Sequence, residues 1–386
     1  MFDPLTNFYC SEKFTWLSVD LEKKLTQSCC EADLSNIDLT WLKNNPGRLF
    51  NTPLLLQERQ MMLDNQPVPT CEKACWQAER NNMVSRRLAK QSYSKTHLDL
   101  EANPEILNIT FGSTCNLTCS YCCKTYSSAW RQDIVKDGAY LDNDRFKMNQ
   151  QDHILSKLSQ KEIADSNSFT FLLDEVTKLT NNNLEIHITG GEPFLYNSLL
   201  SLLAQLENSK HIKIHTGLGV NHDRFCRQLD KIQHVTNLEI SISAENINKF
   251  YEFNRYGNSY ENFQNNLNEI NSRNIELTFT SVVSNLTVFG LSEFVDKFSN
   301  YPIHYSYCRD PDFLAVNVLD STSIDQLAKE IDQSQILIKD DLIKSLYSPA
   351  TREQQENLSV FLSEFARRRN LDLAIFPKSM LQWLSI

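Results

Sequence analysis

The stretch Cys115-Asn116-Leu117-Thr118-Cys119-Ser120-Tyr121-Cys122 decides how this chain is read. It sets three thiols at C-x3-C-x2-C spacing directly after an apolar, strand-like run, Ile106-Leu107-Asn108-Ile109-Thr110-Phe111. Three thiolates on one tight loop can hold three irons of a cubane [4Fe–4S] cluster and leave the fourth iron open to an external ligand. A zinc site normally wants a fourth protein ligand, and no His or further paired Cys follows at finger spacing.

Working outward, strands alternate with helices from about residue 104. Strands are expected at 106–111, 184–189, 212–215, 238–243, 275–282 and 302–307, each rich in Ile, Val, Phe, Thr or Tyr. Helix-period segments at 171–176, 199–203, 224–232, 260–270 and 291–298 lie between them. Such βα repeats imply an α/β fold with a parallel sheet, curved into a partial (β/α)6 barrel whose chemistry sits at the C-terminal strand ends. The Cys115 loop follows the first of these strands and so falls on that face. Thr189-Gly190-Gly191-Glu192-Pro193 follows the second. Its two glycines permit close backbone approach, and Pro193 fixes the exit.

The cysteine spacing, with Tyr121 before the third Cys, and the Gly-Gly-Glu-Pro turn together resemble the signature of the radical SAM enzymes, over roughly residues 104–308. That resemblance implies a [4Fe–4S] cluster on Cys115, Cys119 and Cys122. It also implies S-adenosylmethionine (SAM), its amino group held at Gly190, Gly191, Glu192 and Pro193, mainly by the glycine carbonyls. Ser243, at the end of the fourth strand in Ser241-Ile242-Ser243-Ala244-Glu245, stands where relatives place a polar group near the SAM ribose. Arg255, in Asn254-Arg255-Tyr256-Gly257, resembles the arginine that engages the SAM carboxylate. Cys308 ends the sixth strand as a candidate hydrogen-atom donor, with a buried thiol as the plain alternative; Cys123 and Cys226 are read as buried thiols. Thr216, Gly217 and Asn285 also fall at strand ends on that face. The reaction implied is reductive cleavage of SAM to a 5′-deoxyadenosyl radical, which takes a hydrogen atom from the substrate.

The first hundred residues carry a second thiol set. Cys10 follows Phe8-Tyr9, a strand-like run Trp16-Leu17-Ser18-Val19-Asp20 leads to the pair Cys29-Cys30, and Cys71 and Cys75 come far along. Four thiolates from distant points, two of them a helical turn apart, suit a fully ligated Fe–S cluster or a structural zinc. Adjacent side chains seldom both point inward, and of the pair Cys30 is taken as the ligand. The order of features resembles the SPASM or twitch auxiliary-cluster modules of radical SAM proteins. Here it precedes the main domain rather than following it, and Asp20-Leu21-Glu22-Lys23-Lys24 stands where those modules have a hairpin glycine.

The expected organisation is an auxiliary-cluster module over 1–100, the radical SAM core over 101–310 and a helical extension over 311–386. Between Cys123 and a helix near Phe171 the chain is mostly polar and reads as a long insertion, with Ser127-Ser128-Ala129-Trp130 near the cysteine loop. Leu358, Phe361, Leu362 and Phe365 repeat at i, i+3, i+4 and i+7, a buried helix face. Arg367-Arg368-Arg369 reads as a solvated face, and a net charge of −10 argues against a general polyanion binder such as a nucleic-acid protein. Met1-Phe2-Asp3-Pro4 lacks the charged and apolar regions of a secretion signal, and no 18-residue apolar run exists. Eleven cysteines in such a chain read as metal ligands in a reducing cytoplasm rather than as disulfides.

The expected partners are a peptide or small-molecule substrate and an electron donor such as flavodoxin or ferredoxin. A peptide or protein side chain is the leading substrate class, with a small polar metabolite (sugar, aminoglycoside or nucleoside) as the alternative. A non-catalytic Fe–S or zinc protein is the reading from another class.

Overall fold

In chain order the strands are β1 Trp16–Asp20, β2 Leu25–Gln27, β3 Ser35–Asn36, β4 Ile106–Thr110, β5 Thr118–Cys119, β6 Glu185–Thr189, β7 His211–Thr216, β8 Leu238–Ser243, β9 Arg255–Tyr256, β10 Glu276–Val283 and β11 Ile303–Tyr307. The computed structural model describes residues 7–81, 83–95, 97, 99–158, 162–163, 166–179, 183–206 and 209–386. Met1-Phe2-Asp3-Pro4, read above for a missing secretion signal, lies outside them.

The fold is mixed α/β around one mostly parallel sheet, in the order β11-β10-β8-β7-β6-β4-β1-β2-β3. The six strands expected from the βα repeats are all present, with ends within a residue of the sequence reading, and they pair in sequence order. Their alternation explains the two faces. Leu107, Ile109, Ile186, Ile188, Ile212 and Ile214 are fully buried on one side. They join a continuous core with Leu172, Leu202, Leu203, Phe225, Leu229, Phe263 and Phe294 from the helices Asn167–Thr177, Ser198–Leu206, His222–Ile232, Tyr260–Ser272 and Leu291–Lys297. Each such side chain contributes about 1.5–3 kcal/mol of burial. The other face is polar and half-buried: Asn108 sits opposite His187, His187 opposite Lys213, and Lys213 opposite Glu239.

The hairpin expected in the first hundred residues is part of this sheet. β1 runs parallel to β4, with Trp16 opposite Ile106 and Asp20 opposite Thr110, and β2 and β3 follow antiparallel.

The polar insertion contains helices at Ser128–Asp137 and Gln150–Leu155. Capping starts both: Ser127 accepts from the Trp130 amide, and Asn149 with Asp152 forms a reciprocal capping box. Trp130 and Tyr140 pack on Phe361 of the C-terminal helix Arg352–Arg369, with centroids 6.3 and 5.5 Å apart. Insertion and extension therefore share one aromatic core. This corrects the reading of the arginine triplet: Arg367 is exposed, but Arg369 is buried and donates to Thr118 Oγ1 (3.0 Å) and Tyr140 Oη (2.6 Å). Among the described residues no helix is long and apolar enough to cross a membrane.

Candidate active site

The Cys115 loop leaves the C-terminal end of β4 and is held from every side. Gly191 N donates to Gly112 O and Glu192 N to Thr114 O, both at 2.8 Å, so the Gly-Gly-Glu turn lies directly on the loop's backbone. Gly190 sits at φ +131°, where a side chain is strained, and a Cβ there would meet Gly112 O at 2.7 Å. A Cβ on Gly191 would collide with Thr114 O. The two motifs thus require each other's backbone.

The far arm of the loop forms β5, which pairs with β9: Thr118 opposite Tyr256 and Cys119 opposite Arg255. From the insertion, Ser128 Oγ donates to Cys115 O (3.0 Å) and accepts from Cys115 N (3.1 Å), Ser127 Oγ donates to Leu117 O, and Trp130 Nε1 donates to Cys119 O (3.0 Å). The expected approach of Ser127–Trp130 to the loop is seen in full. Arg145 adds bonds to the carbonyls of Tyr121 (2.6 Å) and Cys122 (3.2 Å) and to Asp310 (3.0 Å), two residues past Cys308.

Cys119 is buried, and Cys115 and Cys122 are half-buried. All three thiols are pushed above their ordinary pKa, first by burial; neighbouring thiolates add to this at Cys115 and Cys122, while at Cys119 Arg255 opposes it and Glu245 adds to it. Such a set gains from a cationic group placed among the sulfurs. Among the described residues the donor group close enough to share one ion, within 4.8 Å, is a different one: His222, Cys226 and Glu269 on the outer helices. There the Cys226 thiol stands 3.6 and 3.7 Å from the two ring nitrogens, beside the imidazole rather than along a lone pair, and Arg273 engages Glu269. The spread of the loop's thiols fits a multi-iron cluster better than a single ion.

The Glu192 carboxylate is buried and engaged within the protein. It accepts from Thr216 Oγ1 (2.7 and 2.9 Å) and from Gly217 N (3.1 Å), tying the turn to the end of β7. Burial pushes its pKa up, and the Thr216 hydrogen bond opposes that. Within the turn, the glycine carbonyls are what remains for an amino group. Pro193 is buried at the start of a short 3-10 turn, Pro193–Leu195.

Arg255 is also committed internally. Its Nε and Nη2 bond Glu245 at 3.0 and 2.6 Å, Nη2 also meets Tyr121 Oη, and Nη1 lies 3.8 Å from Cys119 Sγ. Tyr121 Oη donates to Glu245 Oε1 (2.7 Å). Burial alone would pull the guanidinium down, yet Glu245 and Tyr121 hold it well above its ordinary value. The structure thus places Arg255 in an ion pair behind the cysteine loop. Glu245 is the residue the sequence reading passed over, although it closes the quoted Ser241–Glu245 stretch; a buried acid within ten residues of a buried arginine was the available signal. Ser243 is half-buried at the end of β8, opposite Thr280, with its neighbour Ser241 bonded to that threonine. Asn285 is fully buried and spent on the Phe313 and Val318 carbonyls. Cys308 is buried beyond β11, where burial pushes its thiol up to about 11.

The second thiol set lies at the opposite edge of the sheet. Cys10, Cys29, Cys71 and Cys75 line one small cavity with Glu12, Lys13, Trp76, Arg86 and Arg87. Cys29, and not the expected Cys30, lines the cavity, packed with Trp16 and Ala32, while Cys30 is exposed. Burial pushes Cys10 up to about 12, with Cys71 and Cys75 adding to it; Cys71 is pushed up by burial against the pull of Lys13. Four converging thiols with nearby cations suit a fully ligated cluster or a tetrahedral zinc.

Residues 109–296 match the sequence family described as the Radical SAM superfamily. No curated protein matches the chain. Among solved structures, Streptococcus suis SuiB bound to S-adenosylmethionine aligns over 90% of this chain and 77% of its own, at 12% identity and a TM-score of 0.35. SuiB bound to the precursor peptide SuiA aligns over 84% and 69%, at 13% identity and a TM-score of 0.34. Native anSMEcpe with bound AdoMet aligns over 53% and 52%, at 16% identity and a TM-score of 0.34. The chain therefore spans about half the length of that structure.

Proposed function

We propose that this chain, whose residues 109–296 match the Radical SAM superfamily, is an enzyme that binds a [4Fe–4S] cluster and SAM, cleaves SAM reductively and abstracts a hydrogen atom from a peptide or protein side chain. The observation that carries the reading is the pair of 2.8 Å backbone bonds that fuse the Gly190-Gly191-Glu192 turn to the Cys115 loop. They hold the three-thiol loop and the glycine turn together, which supports reading the two as one site. Cys115, Cys119 and Cys122 would hold the cluster, which would supply the electron for reductive cleavage of SAM. The chain's own part is to orient and to enclose. Gly190 and Gly191 present carbonyls, Glu192 and Thr216 lock the turn, and Glu245, Arg255 and Tyr121 fill the space behind the thiols so that water is kept out.

The open pairing order of the sheet, which ends at β11 on one side and β3 on the other, supports a peptide as substrate. The polar rows on the sheet's polar face favour a second reading, a small polar metabolite, since Asn108, His187, Lys213 and His215 suit hydroxyl and amine groups. Cys10, Cys29, Cys71 and Cys75 would hold an auxiliary group in either case.

Anaerobically reconstituted protein given dithionite and SAM is expected to form 5′-deoxyadenosine and methionine. Intact protein that holds its iron yet never cleaves SAM with any donor would sink the enzyme reading. Turnover of a free sugar or nucleoside, with precursor peptides inert, would replace the peptide by the metabolite.

A further inference from the structure

We propose that the β1–β2 hairpin is a mechanical link between the two thiol sites, with Glu22 and Lys23 as positioning residues for the cysteine loop. The inference rests on the reading that both thiol sets hold metal.

The hairpin runs the height of the sheet. Its open end carries the lower set: Cys10 precedes the helical turn Glu12–Thr15 that leads into β1, and Cys29 follows β2. Trp16, at the first position of β1, packs with Cys29. Its closed end, Leu21 to Lys24, reaches the upper set. Glu22 is buried and accepts from Ser113 N (2.9 Å) and Ser113 Oγ (2.5 Å), two residues before Cys115. Lys23 Nζ donates to Thr125 O (2.9 Å), three residues after Cys122, and lies over the Tyr126 ring. Leu21 N adds a bond to Thr110 O at the end of β4 (3.0 Å). One turn thus grips both ends of the loop that bears all three upper thiols.

The grip is specific to these side chains. Gly112 adopts φ +146°, and a Cβ there would collide with Glu22 Oε2, so the loop approaches the carboxylate as closely as a glycine allows. Arg131 Nη2 donates to the same Ser113 hydroxyl (2.7 Å), which puts a cation one bond beyond the Glu22 contact. The residues that stand in place of a hairpin glycine are therefore the ones that touch the loop. From Cys29 to Glu22 the arm spans on the order of 15–20 Å at strand rise. Metal on Cys10 and Cys29 fixes the open end of both strands, and that order is passed to Glu22 and Lys23.

The test is a mutant cycle on full-length, anaerobically reconstituted protein, read as the rate of iron release from the Cys115 loop to a ferrous chelator. Glu22→Gln with Lys23→Met should speed release about fivefold or more while leaving the lower metal in place. Cys71→Ala, which empties the lower site, should speed it as well, and the two changes together should give less than the product of their separate effects. Glu22→Gln alone, which keeps an acceptor oxygen, should recover part of the loss seen in Glu22→Ala. Fully multiplicative effects, or an unchanged rate in Glu22→Gln/Lys23→Met, overturn the link. If Cys71→Ala loses no metal at all, the two-site reading fails with it, and the Glu22 and Lys23 variants then report only a brace on the upper loop.

Discussion

The two thiol sites are built in opposite ways. The upper one draws its three sulfurs from eight consecutive residues, so sequence spacing alone nearly defines it, and the fold's task is to clamp a short loop. The lower one draws four sulfurs from residues 10 to 75, and only the packing of β1, β2 and the Cys71–Cys75 turn brings them together. A local site is legible but needs external bracing; a dispersed site is braced by its own fold but is hard to read.

The largest expected effect separates them cleanly. Cys119→Ala should abolish 5′-deoxyadenosine formation and remove about four irons, while the lower metal stays. Cys75→Ala should do the reverse: loss of the lower metal, about four irons if a cluster or one zinc if not, with SAM cleavage retained. Within the pair, Cys29→Ala should empty the lower site and Cys30→Ala should leave its metal count unchanged. Equal loss from both variants would put Cys30 back among the ligands.

The same contrast governs what could be read in advance. The six βα strands were legible because each is a short β-branched run, and the cysteine loop and Gly-Gly-Glu-Pro turn because their chemistry is contiguous. The choice between Cys29 and Cys30 was not, because it depends on which thiol meets Trp16 and Ala32 across the chain. The roles of Glu192 and Arg255 were half legible. Both were singled out, but their partners, Thr216 at the end of β7 and Glu245 just past β8, come from other segments, and sequence does not show that these acceptors and donors are already satisfied. The helix Ser128–Asp137 was hidden by its composition: Trp130 and Ile134 are its buried apolar residues, and capping by Ser127 supplies the start.

The next prediction sharpens the bracing of the upper site. Arg255→Met leaves the Glu245 carboxylate buried without its partner, at a cost of about 3–5 kcal/mol. Denaturant unfolding should show that loss, and iron should leave the upper loop faster while the lower site keeps its metal. A double variant with Glu245→Leu should regain stability, since neither charge is then stranded. No regain would mean the pair contributes more than its own neutrality.

A smaller effect comes from the far end of the chain. Arg369→Ala removes charged hydrogen bonds to Thr118 and Tyr140 and should cost about 1.5–3 kcal/mol. Arg367→Ala, on the exposed pair with Glu364, should leave stability nearly unchanged. If the two variants behave alike, the C-terminal helix does not brace the cysteine loop.

The last effect vanishes at neutral pH. His215 stands on the polar face of β7 with its ring 5.8 Å from that of His187, and burial followed by the His187 charge lowers its pKa to about 4. The unfolded chain holds that imidazole near its ordinary pKa of about 6.5. Above that value neither state binds the proton and the group is silent. Between about 6.5 and 4 the unfolded state binds it and the native state does not, so stability falls as pH drops through this window, by at most about 1.4 kcal/mol per pH unit. Below about 4 both states are protonated and the slope from this group ends. His215→Gln should flatten the stability profile between pH 6.5 and 4 and leave it unchanged at pH 7.5. Because His215 lies on the strand whose end carries Thr216, the partner of Glu192, its charging in the native protein near pH 4 should speed iron loss from the upper loop there and leave the lower thiols untouched. Acid-driven loss of both metals in parallel would show that the two sites unfold together rather than separately.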